Sequence, residues 1–145
     1  MQIPWYVFAI GAAVVWGLHY PLVEYALRRV SLVSVMLLTA LPILLLVPFY
    51  TDSLERDWHG LRELDTPARL TILLIALTSL VGTWLLFLSI RGRNATLASL
   101  IEISYPAFVA LFAWALFREW QINSGVLLGA ALVFAGTAMI ILNSR

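Results

Sequence analysis

The sequence predicts an all-α integral membrane protein of five spanning helices. Apolar residues make up 62% of the chain and charged residues 12%, and the mean hydropathy is +0.94. A soluble domain of this size does not carry that balance. The apolar residues also fall into five runs, 4–27, 32–50, 69–90, 95–117 and 124–142. Each is near the length of about 20 residues that crosses a hydrocarbon core. Most connections are short and arginine-bearing: Arg28-Arg29, Arg91-Gly92-Arg93-Asn94, and residues 118–123. Only residues 51–68 form a longer one.

The N-terminus lacks the positively charged start of a secretory signal, so the first run reads as a retained spanning helix. Within it, Trp16, Tyr20 and Glu24 recur every four residues along one stripe, with His19 beside them. Pro21 has no N–H to give the carbonyl of Gly17, which predicts a helix break there. Glu24 precedes Arg28 by four residues, an ion-pair spacing that points to a structural role. In the longer connection, Leu54, Trp58 and Leu61 recur at helical spacing, Asp52 and Glu55 match a capping box, and Thr66-Pro67 opens the next helix. Two readings stay open for this stretch: a short helix lying on the membrane surface, or a solvated loop with one anchoring tryptophan.

The third run carries Trp84. The fourth opens at Asn94, whose place before an apolar run fits helix capping better than glycosylation of Asn94-Ala95-Thr96. It then holds a carboxylate, Glu102, inside its apolar stretch and a proline, Pro106, one turn later. An ionised group at that depth costs a few kcal/mol on insertion scales. Glu102 stands roughly 12 Å along the axis from Asn94 at about 1.5 Å per residue. Pro106 cannot donate to the carbonyl at i−4, which is that of Glu102 itself, so a kink is expected beside the acid. This is the pattern of a helix lining a polar cavity. The fifth run places Gly125, Gly129 and Gly136 on one face, a small-residue surface for close helix packing within the chain or between chains.

An odd number of spans puts the termini on opposite sides. Arg28, Arg29, Arg91, Arg93 and Arg145 fall on one side, and Arg56, Arg62, Arg69 and Arg118 on the other. This slight bias favours the N-terminus outside and the C-terminus inside, and permits insertion both ways up.

Glu102 is the leading candidate for proton coupling, because a carboxylate in hydrocarbon can hold either a proton or a cationic substrate. The competing reading ties it structurally to Arg91, Arg93 or a neighbouring helix. Trp16, His19, Tyr20, Trp84, Tyr105 and Phe108 are candidates for an aromatic substrate box; each also fits lipid or interface anchoring. His19 and His59 are separated by a span and cannot share a metal. The sequence has no phosphate-cradling glycine loop and no basic patch for nucleic acid. Cysteine is absent. No enzyme activity, cofactor or metal is expected.

Trp16-Gly17, the asparagine-initiated fourth helix with Pro106, the Phe117-Arg118-Glu119 exit and Gly129 with Gly136 together resemble one EamA-type repeat of the drug/metabolite transporter superfamily. The last two helices are also similar to those of small multidrug resistance proteins, where spaced glycines serve helix pairing. Two departures stand out: Met36 and Thr39 occupy the region of an arginine common in EamA repeats, and Tyr105 replaces an acid often found before the helix-four proline. Most members of the superfamily carry two inverted repeats. The resemblance therefore implies a half-transporter completed by a second copy, as an antiparallel homodimer or with a paralogous half, around a cavity near the midplane. The expected function is proton-coupled secondary transport of a small organic solute or drug by alternating access, in the plasma (inner) membrane. The alternatives are a lipid-linked sugar flippase and a non-transporting assembly subunit.

Overall fold

The structure, a computed structural model, describes residues 4–120 and 123–143. Arg145, counted above for topology, lies outside the described residues. Among the described residues every regular element is helical. Five segments are long and apolar enough to cross a membrane: Trp5–Leu27, Leu32–Phe49, Thr66–Gly92, Ala95–Phe117 and Ser124–Asn143. The all-α, five-span architecture is thus the one the chain adopts. Large apolar side chains such as Leu18, Leu44, Leu73, Leu116 and Leu142 stay exposed along these segments, as lipid-facing surface requires. The chain divides into two compact units, one of residues up to Glu24 together with those from Ser89 onward, the other Tyr25–Leu88.

In the Tyr25–Leu88 unit, helix α2 (Leu32–Leu44) starts at Ser31, whose Oγ accepts from the Ser34 N–H at 3.1 Å. That bond satisfies one orphan donor of the first turn. Leu32 and Val35, three residues apart, are its buried positions. The α-helix stops at Leu44, and a 3₁₀ turn, Val47–Phe49, completes the segment. Pro48 explains the change, since it has no N–H for the Leu44 carbonyl. Helix α3 (Thr51–Glu63) follows directly, with Leu54 N–H bonded to Tyr50 O at 2.9 Å. The capping box expected from Asp52 and Glu55 does not form, because the 3₁₀ turn feeds straight into the helix. Tyr50 takes the N-cap position without a side-chain bond, and Asp52 falls inside the first turn. An acid there still complements the helix dipole.

Helix α4 (Thr66–Gly92) begins at the Thr66-Pro67 signal, with Asp65 Oδ1 accepting from Ala68 N–H at 3.0 Å. Arg69, one turn into α4, reaches back across the corner. Its guanidinium donates to Leu64 O at 2.7 Å and Arg62 O at 2.8 Å, two carbonyls at the end of α3.

In the other unit, helix α1 (Trp5–Leu27) runs unbroken to its end through Pro21. The break expected at Pro21 is therefore not an interruption of the helix. One missing bond to Gly17 in a helix of 23 residues leaves the neighbouring rungs of the ladder in place. The fourth span behaves otherwise and divides into α5 (Ala95–Glu102) and α6 (Tyr105–Phe117). Helix α6 ends at Arg118 in the left-handed region, φ 59°, with its N–H on Trp114 O at 3.0 Å. Helix α7 (Ser124–Asn143) packs against α5. Ala95 and Ala98 of α5 are buried, as is Thr137 of α7.

Candidate functional site

The site is built on the interruption of the fourth span. Asn94 opens α5 in an extended conformation, and its Oδ1 accepts from Leu97 N–H at 2.8 Å. A second cap comes from far along the sequence: Glu24 Oε2 accepts from Ala95 N–H at 2.7 Å. Two of the orphan donors of this helix end are thereby satisfied, one by a charged acceptor suited to the positive end of the dipole. Capping is thus the structural role that Asn94 plays.

Eight residues later α5 ends at Glu102. Pro106 sits in the first turn of α6, where a missing N–H is tolerated, and it gives nothing to the Glu102 carbonyl. The backbone between tightens into i→i−3 bonds, Ser104 N–H to Ile101 O and Ala107 N–H to Ser104 O, both 3.2 Å. Ser104 Oγ also donates to Ile101 O at 2.8 Å. The result is two half-helices meeting roughly 12 Å inside the span, counted at about 1.5 Å per residue from Asn94.

At that junction the Tyr20 hydroxyl donates to Glu102 Oε2 at 2.6 Å, across 82 residues of sequence. Both side chains are half-buried. Among the described residues Tyr20 is the polar partner of Glu102. Of the structural ties expected for Glu102, the one to a neighbouring helix is present, through Tyr20 of α1. A short hydrogen bond of a phenol to a carboxylate is of the charge-assisted kind, stronger than a neutral pair.

Around Tyr20, Trp16 and His19 complete an aromatic group. The Trp16 and His19 rings meet edge-on at 5.1 Å, and Trp16 and Tyr20 lie 5.7 Å apart. Tyr105, first residue of α6, follows Glu102 by three residues and is exposed. Trp16, His19, Tyr20 and Glu102 are therefore gathered in one place, with Tyr105 three residues along the chain from Glu102. Phe108 has a different setting, edge-to-face with Phe134 of α7 at 5.9 Å. Trp84 belongs to α4 in the other unit, where it is exposed.

A groove of about 390 Å³ opens beside the break, between α6 and α7. Ile103, Pro106, Ala107, Ala110, Ala130 and Phe134 are among its walls, and Ser104 is its one polar side chain. Its volume falls within the range of small-molecule sites. Glu102 immediately precedes the first groove residue, Ile103. Nothing in the sequence marked Phe134 or Ala130, which are ordinary members of an apolar helix.

The three glycines of α7 are not equivalent. A Cβ built on Gly129 or Gly136 would meet nothing within 4 Å, whereas one on Gly125 would meet Asn123 Oδ1 at 3.3 Å. That same oxygen accepts from Val126 N–H at 2.9 Å. Gly125 thus makes room for the cap of α7, while the other two face open space.

No curated protein and no solved structure matches the chain. A family does: residues 3–142, nearly the entire sequence, match the EamA-like transporter family, and the chain belongs to that family.

Proposed function

We propose that this family member is a half-transporter that moves a small organic solute by alternating access, with Glu102 exchanging a proton for a cationic substrate. The observation that carries this reading is the Tyr20 to Glu102 hydrogen bond at a break in a spanning helix. A carboxylate inside a span is costly and serves function by default. Here a neutral phenol satisfies it in place of an arginine, so an arriving cation or proton competes with a single hydrogen bond. Trp16 and His19 supply aromatic faces close by, and Tyr105 follows Glu102 by three residues; such rings suit an organic cation. Phe108 and Trp84 remain outer aromatic candidates.

Interrupted helices at midplane depth are the usual setting of substrate and ion sites in secondary transporters, and those sites lie between two repeats. The second repeat is most simply another copy, inserted antiparallel, or a paralogous half. Gly129 and Gly136 support this, because the close approach that such glycines permit is not used within the unit that contains them. The plasma (inner) membrane is the proposed location.

Flux in reconstituted vesicles at two pH gradients, wild type against Glu102→Gln, tests the mechanism. Loss of proton dependence with cross-linked dimers intact is the expected result. Unchanged flux removes Glu102 from the transport cycle.

A second reading, a flippase for a lipid-linked sugar, draws on the groove. Its walls are apolar apart from Ser104, whose hydroxyl is already bonded to Ile101 O. An acyl or isoprenoid chain suits such a surface better than a polar solute does. Proton-independent flipping of a lipid-linked substrate, with Glu102→Gln active, would select this reading.

A further inference from the structure

Helix α3 takes no part in the reading above, and its build is unlike that of the spans. At 13 residues it is roughly 20 Å long, and it is too polar to cross a membrane. At about 100° per residue, Leu54, Trp58 and Leu61 fall on one narrow stripe. Asp52, Glu55, Arg56, His59 and Glu63 lie on the opposite face. Trp58 and Leu54 are exposed and Leu61 is half-buried, so most of this stripe is left uncovered by the chain. The Arg62 guanidinium stands 5.4 Å from the Trp58 ring, at the border between the two faces.

We propose that α3 lies in the headgroup layer of the bilayer, its Leu54, Trp58 and Leu61 stripe seated among the lipids and its acidic face in water. Four features of the molecule support a lipid surface as the occupant. Both ends of the helix are pinned at the edge of the hydrocarbon, since one spanning segment ends at Phe49 and the next begins at Thr66. A tryptophan flanked by an arginine is the side-chain pair that settles at a membrane interface. Arg69 clamps the last carbonyls of α3 from within α4, so the helix is held at a fixed corner with the span that follows. The stripe is three residues wide, enough to rest on lipid and narrow for a protein interface. Acids outnumber arginines between residues 51 and 65, so seating depends on the apolar stripe and requires no anionic lipid.

The chain has no cysteine, so single spin labels report without background. Full-length protein is reconstituted in phosphatidylcholine vesicles after Leu54→Cys, Glu55→Cys, His59→Cys, Leu61→Cys or Glu63→Cys and labelling with a nitroxide. Oxygen accessibility is expected to peak at positions 54 and 61, and accessibility to an aqueous nickel chelate at 55, 59 and 63. Uniform nickel accessibility would mean a solvated helix and overturn the proposal. Shielding of 54 and 61 from both reagents would mean that protein covers the stripe, and would overturn it equally. So would a pattern that appears only when anionic lipid is added. In Arg69→Ala the alternation should be lost while the labels stay helical; an unchanged pattern would remove the clamp from the account. Because none of these positions belongs to the Glu102 site, flux stays measurable in every variant, and the two readings fail independently.

Discussion

The contact between Tyr20 and Glu102 is the residue-scale event on which the proposed transport cycle turns. Neither group reaches lipid unaccompanied, and each supplies what the other lacks, a donor for a carboxylate and an acceptor for a phenol. Removing the hydroxyl in Tyr20→Phe leaves a half-buried carboxylate short of a donor. That should cost about 1–2 kcal/mol, at the low end for a bond to a charged group because both side chains keep some exposure. A thermal-unfolding double-mutant cycle with Glu102→Gln checks this, and a coupling of about 1 kcal/mol is expected between groups in direct contact. A coupling near zero would mean that the two side chains do not depend on each other. Both residues are legible in the sequence as polar groups in apolar helices. Their meeting is not, because four-residue spacing predicts neighbours along one helix and says nothing of a partner 82 positions away. Glu24 teaches the same lesson: its spacing to Arg28 is visible locally, while its bond to the Ala95 N–H depends on how α1 and α5 come together.

At the scale of elements, two prolines with the same local chemistry have different outcomes. Pro21 is carried inside an unbroken α1, whereas Pro106 stands just after a divided span. The second site differs in having a 3₁₀ turn already formed by Ser104, so the lost bond is absorbed by tighter ones. Proline content alone therefore overstates helix breaks. Pro106→Ala returns an N–H within reach of the Glu102 carbonyl and should let α5 and α6 merge. The gain of stability should be small, well below the ~3 kcal/mol of a helix-interior proline, because Pro106 stands in a first turn. Amide hydrogen exchange over residues 103–107 should slow, and flux should fall as the junction stiffens. Exchange that stays as fast as in the wild type would show that the break has another cause. The end of α2 at Leu44 follows the same rule, since Pro48 withholds the bond that would continue it.

For the whole molecule, run length and polarity alone carried the class: five apolar stretches became five spanning segments, and the family match extends over them. What sequence could not supply was which small residues are filled by neighbours. Gly129 and Gly136 look like Gly125 in a one-dimensional pattern, yet only Gly125 is crowded. Gly129→Ala and Gly136→Ala should therefore fold at least as well as the wild type, with a helix-propensity gain of about 0.5–1 kcal/mol each. Pairing of chains, read by cross-linking in vesicles, should weaken at the same time. Pairing at wild-type level would take this face out of the interface.

The Arg69 clamp also bears on the order in which the protein is made. Its bonds close over five and seven residues, so the corner it braces can set while the ribosome is still adding α4. The Tyr20 to Glu102 bond must wait until 82 further residues after Tyr20 have been synthesised, and it closes the larger loop. A nascent protein thus acquires its braced corner early and the Tyr20 to Glu102 contact late, so on the proposed mechanism a chain arrested before Glu102 would be inserted yet inert.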